Sequence, residues 1–174
     1  VRTPGWRVPL VERPDFLFTY MNHDRTRMVR NSSGVHLLNS VYGVALKKDR
    51  RELGLEFLAV AGLNSVTLLG AEIVGRSYGG GLLKHEPKEA DVLPLPSYEV
   101  LQQAAPTLRL LQAQVGGLLR RSDIAPAVEI VDRILLKDQL RLTDGEIRAV
   151  RDARATLMMR RIVRGRGQKN GKSR

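Results

Sequence analysis

The sequence contains no cysteine among its 174 residues. Disulfide frameworks, thiolate-bound metal sites and cysteine nucleophiles are therefore excluded. Histidine is scarce as well, and His23, His36 and His85 lack a second ligand at a helical or zinc-finger spacing, so we predict no metal site. The motif Gly-x-Ser-x-Gly does not occur, which disfavours a serine hydrolase.

Long apolar runs are also missing. No run approaches the roughly 20 residues that a membrane-spanning helix requires. The first ten residues carry Arg2 and Arg7 but not the apolar stretch of a secretory signal. We therefore expect no membrane partner and a cytoplasmic location.

Positive charge is in excess, since 29 Lys and Arg against 18 Asp and Glu give +11. Residues 160–174 hold seven of these cations and no acid, which leaves 11 − 7 = +4 for the rest of the chain. A segment rich in Gly, Lys and Arg cannot bury enough apolar surface to fold alone, and we predict a flexible basic tail at 164–174. Two interpretations stay open: an arm that pairs with nucleic-acid phosphates, and a tail that favours solubility.

The first half of the chain predicts a small sheet. Segments rich in aromatic and β-branched residues predict strands at 15–21, 27–31 and 41–47. From about Arg51 the apolar residues follow a helical period, and Asn64 predicts the cap of a second helix. We therefore predict a small mixed or antiparallel sheet with short covering helices.

The second half predicts helices only. A proline-rich stretch ends near residue 97, where we place a domain junction. Beyond it, apolar stripes predict three helices, with Asp123 as one cap and Thr143 with Glu146 as a capping box. The predicted fold class is α+β with an all-helical C-terminal segment. The predicted units are a DNA-binding domain at 1–96, a helical bundle or arm at 97–163 and the tail at 164–174.

A second concentration of basic residues lies at 23–51. Arg25 and Arg27 belong to a segment that is predicted to be extended, so several basic side chains can project from one surface that suits a phosphate backbone. Asn31 and Asn39 add amides that can make a bidentate contact to adenine. Asparagine is equally common in turns, and for these two residues both interpretations remain open.

Three consecutive glycines, Gly79–Gly81, predict a loop. Their spacing matches neither a Walker loop nor a dinucleotide-binding loop. With Arg76, Tyr78 and Lys84 beside them, their bare amides can grip a nucleic-acid backbone. A tight turn between a helix and a strand explains the same residues equally well.

Several sequence blocks follow one another in a characteristic order. They lie at 14–21, 30–31, 38–44, 63–65, 78–87 and 93–96. This order resembles the C-terminal target-recognition region of Eco57I-like adenine-specific DNA methyltransferases of type II restriction-modification systems. The most specific block is Gly-Gly-Gly-Leu-Leu-Lys-x-Glu-Pro, and the resemblance weakens beyond Pro96.

The resemblance implies a DNA-reading part without the methyl-transferring machinery. In that family the catalytic half lies upstream and carries a loop for S-adenosylmethionine and an Asn/Asp-Pro-Pro-Tyr/Phe motif, neither of which occurs here. The implied partner is double-stranded DNA, with no cofactor in this chain and S-adenosylmethionine in a missing or separate catalytic half. The chain alone is not expected to be catalytic. The alternatives are a subunit of a split methyltransferase that needs a catalytic partner, and a helical remnant whose basic arm binds RNA or acidic partners.

The candidate DNA-facing residues come from two arguments. The matching blocks contribute Arg30, Asn31, Asn39, Ser40, Arg76, Tyr78, Gly79, Gly80, Gly81 and Lys84. Because recognition regions differ among enzymes of different specificity, the basic residues between the blocks are included too: Arg25, Arg27, Lys47 and Lys48. Arginines dispersed over the surface, together with a glycine bend buried beneath the helices, would contradict this interpretation.

Overall fold

The computed structural model describes residues 12–170, with side chains described through Gly165. Residues 1–11, where we expect no secretory signal, and the last four residues of the predicted tail lie outside this range.

Two antiparallel sheets of three strands each are built from the first half of the chain. The strands are β1 (Phe16–Phe18), β2 (Met21–Asn22), β3 (Met28–Arg30), β4 (Tyr42–Val44), β5 (Arg76–Tyr78) and β6 (Leu82–Lys84). The first sheet has the order β3-β1-β4, and the second has the order β2-β6-β5. Phe16 and Phe18 of the central strand β1 point into the core, as alternation along a strand requires.

The α+β class is confirmed, with two sheets where one was predicted. The predicted strand at 15–21 is divided between them because the chain changes hydrogen-bonding partner after Thr19. The Thr19 amide donates to the Arg27 carbonyl at 3.0 Å beside the first sheet, whereas the Tyr20 carbonyl accepts from the His85 amide at 2.8 Å beside the second. The Tyr20 and Tyr42 rings stack at 4.7 Å between centroids and connect the two sheets.

Helices make up most of the remaining chain. They are α1 (Arg51–Ala61), α2 (Ser65–Val74), α3 (Pro87–Ala90), α4 (Tyr98–Arg120), α5 (Ile124–Asp132) and α6 (Asp144–Asn170), and α5 continues as a π-helical segment, Arg133–Gln139. The predicted Asn64 cap is confirmed, since its side chain accepts from the Thr67 amide at 2.9 Å. The capping box is confirmed as well, with Thr143 and Glu146 bonded in both directions. Asp123 occupies a cap position without a side-chain hydrogen bond to the helix.

One apolar core includes residues from both sides of residue 97. Phe16 and Phe57 lie in it with Leu108 and Val131, all fully buried or nearly so. Each such side chain contributes about 1.5–3 kcal/mol when it leaves water. The division into units stays a prediction, and its two folded parts share this core.

The predicted tail begins inside a helix. α6 runs to Asn170, so the described part of the segment 164–174 is helical. Tertiary packing favours the helix at the start of this segment, since Arg161 just before it pairs with Glu72 of α2 and Gly165 lies against the backbone of Gly80 and Gly81. The local sequence gives no reason to expect these contacts.

No single helix within residues 12–170 is both long and apolar enough to cross a membrane. The segments Lys48–Ala61 and Ser65–Val74 meet the length and composition criteria only as a pair, with a bend of 83° between them. Their apolar side chains include Phe57 and Leu68, which lie in the core.

Candidate nucleic-acid interface

A polar depression lies where β1 begins and β3 ends. Guanidinium groups of Arg13, Arg30 and Arg51 line it, and among the described residues the lining includes a single acid, Asp15. The depression is termed the arginine cleft here. Its remaining lining residues are Pro14, Asn31, Ser32, Gly34 and Leu55.

Asp15 holds one of the three arginines in place. Its Oδ1 accepts from Arg51 Nη2 at 2.8 Å, and its Oδ2 accepts from the Leu46 amide at 2.8 Å. The Asp15 side chain is only 10% exposed, whereas that of Arg51 is 55% exposed. The carboxylate therefore neutralises one guanidinium and leaves positive charge in excess in the cleft.

Neither of the other two arginines has an acidic partner within residues 12–170. Arg13 Nε donates to Nε2 of His36 at 3.2 Å. The Arg30 guanidinium is exposed and makes no hydrogen bond or ion pair with any residue in the described range. Glu56 lies near enough for Arg30 to help lower the pKa of its carboxyl, but the main cause is the fork donated by Arg109.

Asn31 shapes the wall of the arginine cleft. Its Nδ2 donates to the carbonyls of Pro14 and Val35, both at 3.0 Å, and its Oδ1 accepts from the Val35 amide at 2.9 Å. The amide therefore closes the turn after β3. For Asn31 the structure displays the turn-forming alternative of the two that the sequence leaves open.

A second group of predicted residues lies on the hairpin of β5 and β6, residues 76–84, termed the glycine hairpin here. Tyr78 is 55% exposed, and the Lys84 Nζ lies 5.1 Å from the centroid of its ring. Lys84 also pairs with Glu86 at 2.8 Å, which raises the pKa of the lysine. Arg76 pairs with Glu89. Both cations thus have acidic partners, in partly exposed pairs of the kind that contribute little to stability.

The three glycines have different surroundings. Gly80 and Gly81 have φ angles of +76° and +79°, which favour glycine. An added Cβ would meet nothing within 4 Å at Gly79 or Gly80, whereas at Gly81 it would lie 3.1 Å from the Cα of Ile162 in α6. Two glycines of the loop are therefore open, and the third is packed beneath a helix.

The remaining predicted residues are distributed along the connecting loops. The Arg25 side chain is 11% exposed, its Nε has no hydrogen-bond partner among the described residues, and burial lowers its pKa. Arg27 donates to both carboxylate oxygens of Asp24, at 2.9 and 3.0 Å. The exposed loops on either side of β4 carry Asn39, Ser40, Lys47 and Lys48.

Two arginines of the cleft are absent from the sequence-based set. Arg51 is the last residue of the basic segment 23–51, so the charge of that segment is a signal that could have placed it in the set. Arg13 stands alone in the sequence, directly before the block 14–21, and has no signal of its own. Within the described residues, no group of three or more His, Asp or Glu side chains is placed to hold a metal ion.

Residues 1–136 match the sequence family described as the C-terminal domain of the type II methyltransferase M.Eco57I. The chain belongs to this family. The type II methyltransferase M.XamI of Xanthomonas campestris pv. amaranthicola is 32% identical over 100 residues, which cover 58% of this chain and 18% of that relative. No solved structure matches the chain.

The family assignment confirms the resemblance inferred from the sequence blocks, and with it the relationship to restriction-modification methyltransferases. The matched residues include the whole arginine cleft and the whole glycine hairpin. They do not include α6, which begins at Asp144. The chain spans about one fifth of the length of the relative it matches.

Proposed function

We propose that the chain is the DNA-binding target-recognition module of an adenine-specific DNA methyltransferase. The observation that carries the proposal is the arginine cleft, where three guanidinium groups surround one depression with a single carboxylate. A guanidinium presents paired N–H donors that match two oxygens of a phosphate. Arg30, which has no competing carboxylate bonded to it, is the first residue that a DNA phosphate would engage.

The glycine hairpin supplies a second point of contact in this proposal. Its open glycines, Gly79 and Gly80, let another backbone approach closely, and Tyr78 offers an exposed ring. Contacts to phosphates fix the register of a protein on the duplex but do not read its sequence. Base reading is assigned to exposed side chains outside these two surfaces, of which Asn39 has an amide suited to adenine.

Methyl transfer is assigned to a separate catalytic part, which binds S-adenosylmethionine. An enzyme that extrudes a base from the duplex must first fix its position on the DNA, and this chain would do so. An alternative form of the proposal is a split enzyme, in which a catalytic polypeptide and this module act together. Mixing the two with S-adenosylmethionine and duplex DNA is expected to give methylated adenine.

The test of DNA binding compares two double variants that lose the same charge. Arg13→Ala with Arg30→Ala removes two arginines of the cleft, and Arg120→Ala with Arg133→Ala removes two exposed arginines of the helical half. The dissociation constant for duplex DNA is measured at several salt concentrations. We expect the cleft variant to lose about one unit of log-log salt slope per phosphate contact removed.

The control variant is expected to keep the wild-type slope. Equal loss of affinity in the two variants would show that the cleft arginines contribute only through net charge. It would contradict the proposal that the arginine cleft is a specific phosphate-binding site. Wild-type binding that does not respond to salt would contradict phosphate recognition as a whole.

A further inference from the structure

One arginine of α6 lies buried beneath the glycine hairpin. The Nε and Nη2 of Arg161 donate to the two carboxylate oxygens of Glu72, at 3.0 and 2.8 Å. The side chains of Arg161 and Glu72 are 5% and 2% exposed. This pair joins α6 to α2 inside the molecule.

The same guanidinium also reaches two loops. Arg161 Nη1 donates to the backbone carbonyl of Gly81, and both terminal nitrogens donate to the carbonyl of His23 at 3.3 Å. Gly81 closes the glycine loop, and His23 precedes the turn that carries Arg25 and Arg27. A single side chain therefore contacts the backbone of two of the segments in or beside which sequence analysis places DNA-facing residues.

The helix and the hairpin also touch backbone to backbone. An added Cβ at Gly165 of α6 would overlap the backbone of Gly80 and Gly81. An added Cβ at Gly81 would lie 3.3 Å from the carbonyl oxygen of Arg161. This close approach leaves the hairpin no room to shift toward the helix.

A second arginine of α6 supports the turn after β2. Arg154 Nη2 donates to the carbonyl of Asp24 at 3.1 Å, and the Asp24 carboxylate in turn holds Arg27. The Arg154 side chain is partly buried, and burial lowers its pKa, while the nearby Glu72 and Asp24 act in the opposite direction. α6 thus reaches Arg27 through one intervening residue.

We propose that α6 is a brace that positions the glycine hairpin and the turn at 23–27 for DNA, with Arg161 as its positioning residue. The inference rests on the proposed function and extends it to a helix that lies outside the family match at residues 1–136. A buried ion pair adds little net stability compared with apolar side chains of similar volume. Its distinctive contribution here is the set of hydrogen bonds to two loop carbonyls.

The principal variant replaces both members of the pair, Arg161→Met with Glu72→Met, in the full chain. Because neither charge is left buried alone, the fold is expected to persist while the hydrogen bonds to Gly81 and His23 are lost. Arg160→Ala is the control for the loss of a neighbouring arginine that is exposed; it removes one positive charge, whereas the double variant leaves the net charge unchanged. Amide hydrogen exchange and the dissociation constant for a duplex DNA are measured for each variant.

We expect amides of residues 79–84 and 23–27 to exchange at least about tenfold faster in the double variant, with exchange in α1 and α4 unchanged. Affinity for DNA falls about fivefold or more, and Lys84→Ala weakens binding less in this background than in the wild type, because Lys84 is no longer held in position. Arg160→Ala leaves loop exchange unchanged. Arg161→Lys, which keeps the charge but not the fork, gives an intermediate exchange rate.

Unchanged exchange at 79–84 in the folded double variant would overturn the brace, and so would an equal effect of Arg160→Ala. If the double variant does not fold, Arg161→Lys decides in the same way, since it keeps Glu72 paired. Failure of the wild-type chain to bind duplex DNA would contradict the proposed function, whereas the exchange measurement tests the brace without DNA.

Discussion

Asn31 and Asn39 have the same amide in different surroundings. The Asn31 amide bonds to three backbone groups around the turn after β3. Asn39 is exposed, and its backbone carbonyl accepts a hydrogen bond from the Tyr20 hydroxyl at 3.2 Å. Its side-chain amide makes no hydrogen bond with another described residue. Asn39 is therefore the better candidate for a contact with a base.

Substitution by alanine is expected to affect stability at Asn31 and discrimination among bases at Asn39. Asn31→Ala lowers the free energy of unfolding by about 0.5–1.5 kcal/mol because the hydrogen bonds to the partly exposed backbone groups of Pro14 and Val35 are lost. Asn39→Ala changes stability by less than about 0.5 kcal/mol and reduces discrimination for an adenine by about 1–3 kcal/mol. Denaturant titration and competition binding with single-base substitutions measure the two effects. Equal discrimination in wild type and Asn39→Ala would remove Asn39 from the reading set.

His85 is a fully buried histidine at the end of β6. Its ring meets that of Phe18 edge-on at 5.9 Å, and its Nε2 lies 3.0 Å from the Ala71 carbonyl. Its Nδ1 has no partner among the described residues. Burial lowers the pKa of His85, because the charged ring would lose its water.

The sign of the pH dependence follows from this lowered pKa. In the unfolded chain the ring takes up a proton near its ordinary pKa of about 6.5, whereas the folded chain resists protonation. Stability is therefore full above about pH 6.5 and decreases as the pH falls below it. Denaturant titrations between about pH 5 and 8 should show this loss in the wild type and a flatter profile in His85→Leu. Parallel profiles would show that another group is responsible.

At the scale of the helices, two interior glycines have opposite environments. Gly70 of α2 packs against the ring of Pro94, which an added Cβ would overlap. Gly117 of α4 faces only the ends of Arg120 and Arg121, at 4.0 and 3.8 Å from such a Cβ. Helix propensity favours alanine equally at both positions, so their packing decides the outcome.

The effect of a glycine-to-alanine substitution on the free energy of unfolding is thus expected to have opposite signs in the two helices. Gly117→Ala raises the free energy of unfolding by about 0.5–1 kcal/mol, and Gly70→Ala lowers it by about 1–3 kcal/mol. Thermal unfolding of the two single variants and the double variant measures both. A stabilising Gly70→Ala would mean that Pro94 is free to move away from α2.

Local signals account for the elements that the sequence predicts well. The Asn64 cap and the capping box of Thr143 depend on residues within one helical turn, and both are present. The division of the strand at 15–21 depends on Arg27 and His85, which supply distant hydrogen-bonding partners. Likewise, the arginine cleft joins Arg13 to Arg51, and no pattern in either local segment indicates that they meet.

At the scale of the whole molecule, the basic C-terminal segment includes both buried and exposed cations. Arg161 is one of the seven cations at 160–174, but it is buried and paired. A truncation at residue 160 would therefore remove part of the folded structure along with the arm. A cut after Gly165 separates the two contributions.

Deletion of residues 166–174 removes four cations and gives a net charge of 11 − 4 = +7. We expect this chain to keep its unfolding midpoint and its preference among DNA sequences, with weaker binding at low salt and a smaller salt slope. Calorimetry and salt-dependent DNA binding measure these quantities. Complete loss of binding would favour the alternative in which a basic arm, and not the folded domain, contacts nucleic acid.

The contact between Gly81 and Gly165 links two positions that lie 84 residues apart in the sequence. Gly165 cannot acquire a side chain while the backbone of Gly81 stays in place, and a side chain at Gly81 would press on Arg161 and Ile162 of the same helix, so a larger residue at either position requires a displacement of the helix. In relatives without this helix, the position of Gly81 would have space for a side chain, although its positive φ angle would still favour glycine. Correlated substitutions at positions 81 and 165 would therefore identify the relatives in which the helix packs against the glycine hairpin in the same way.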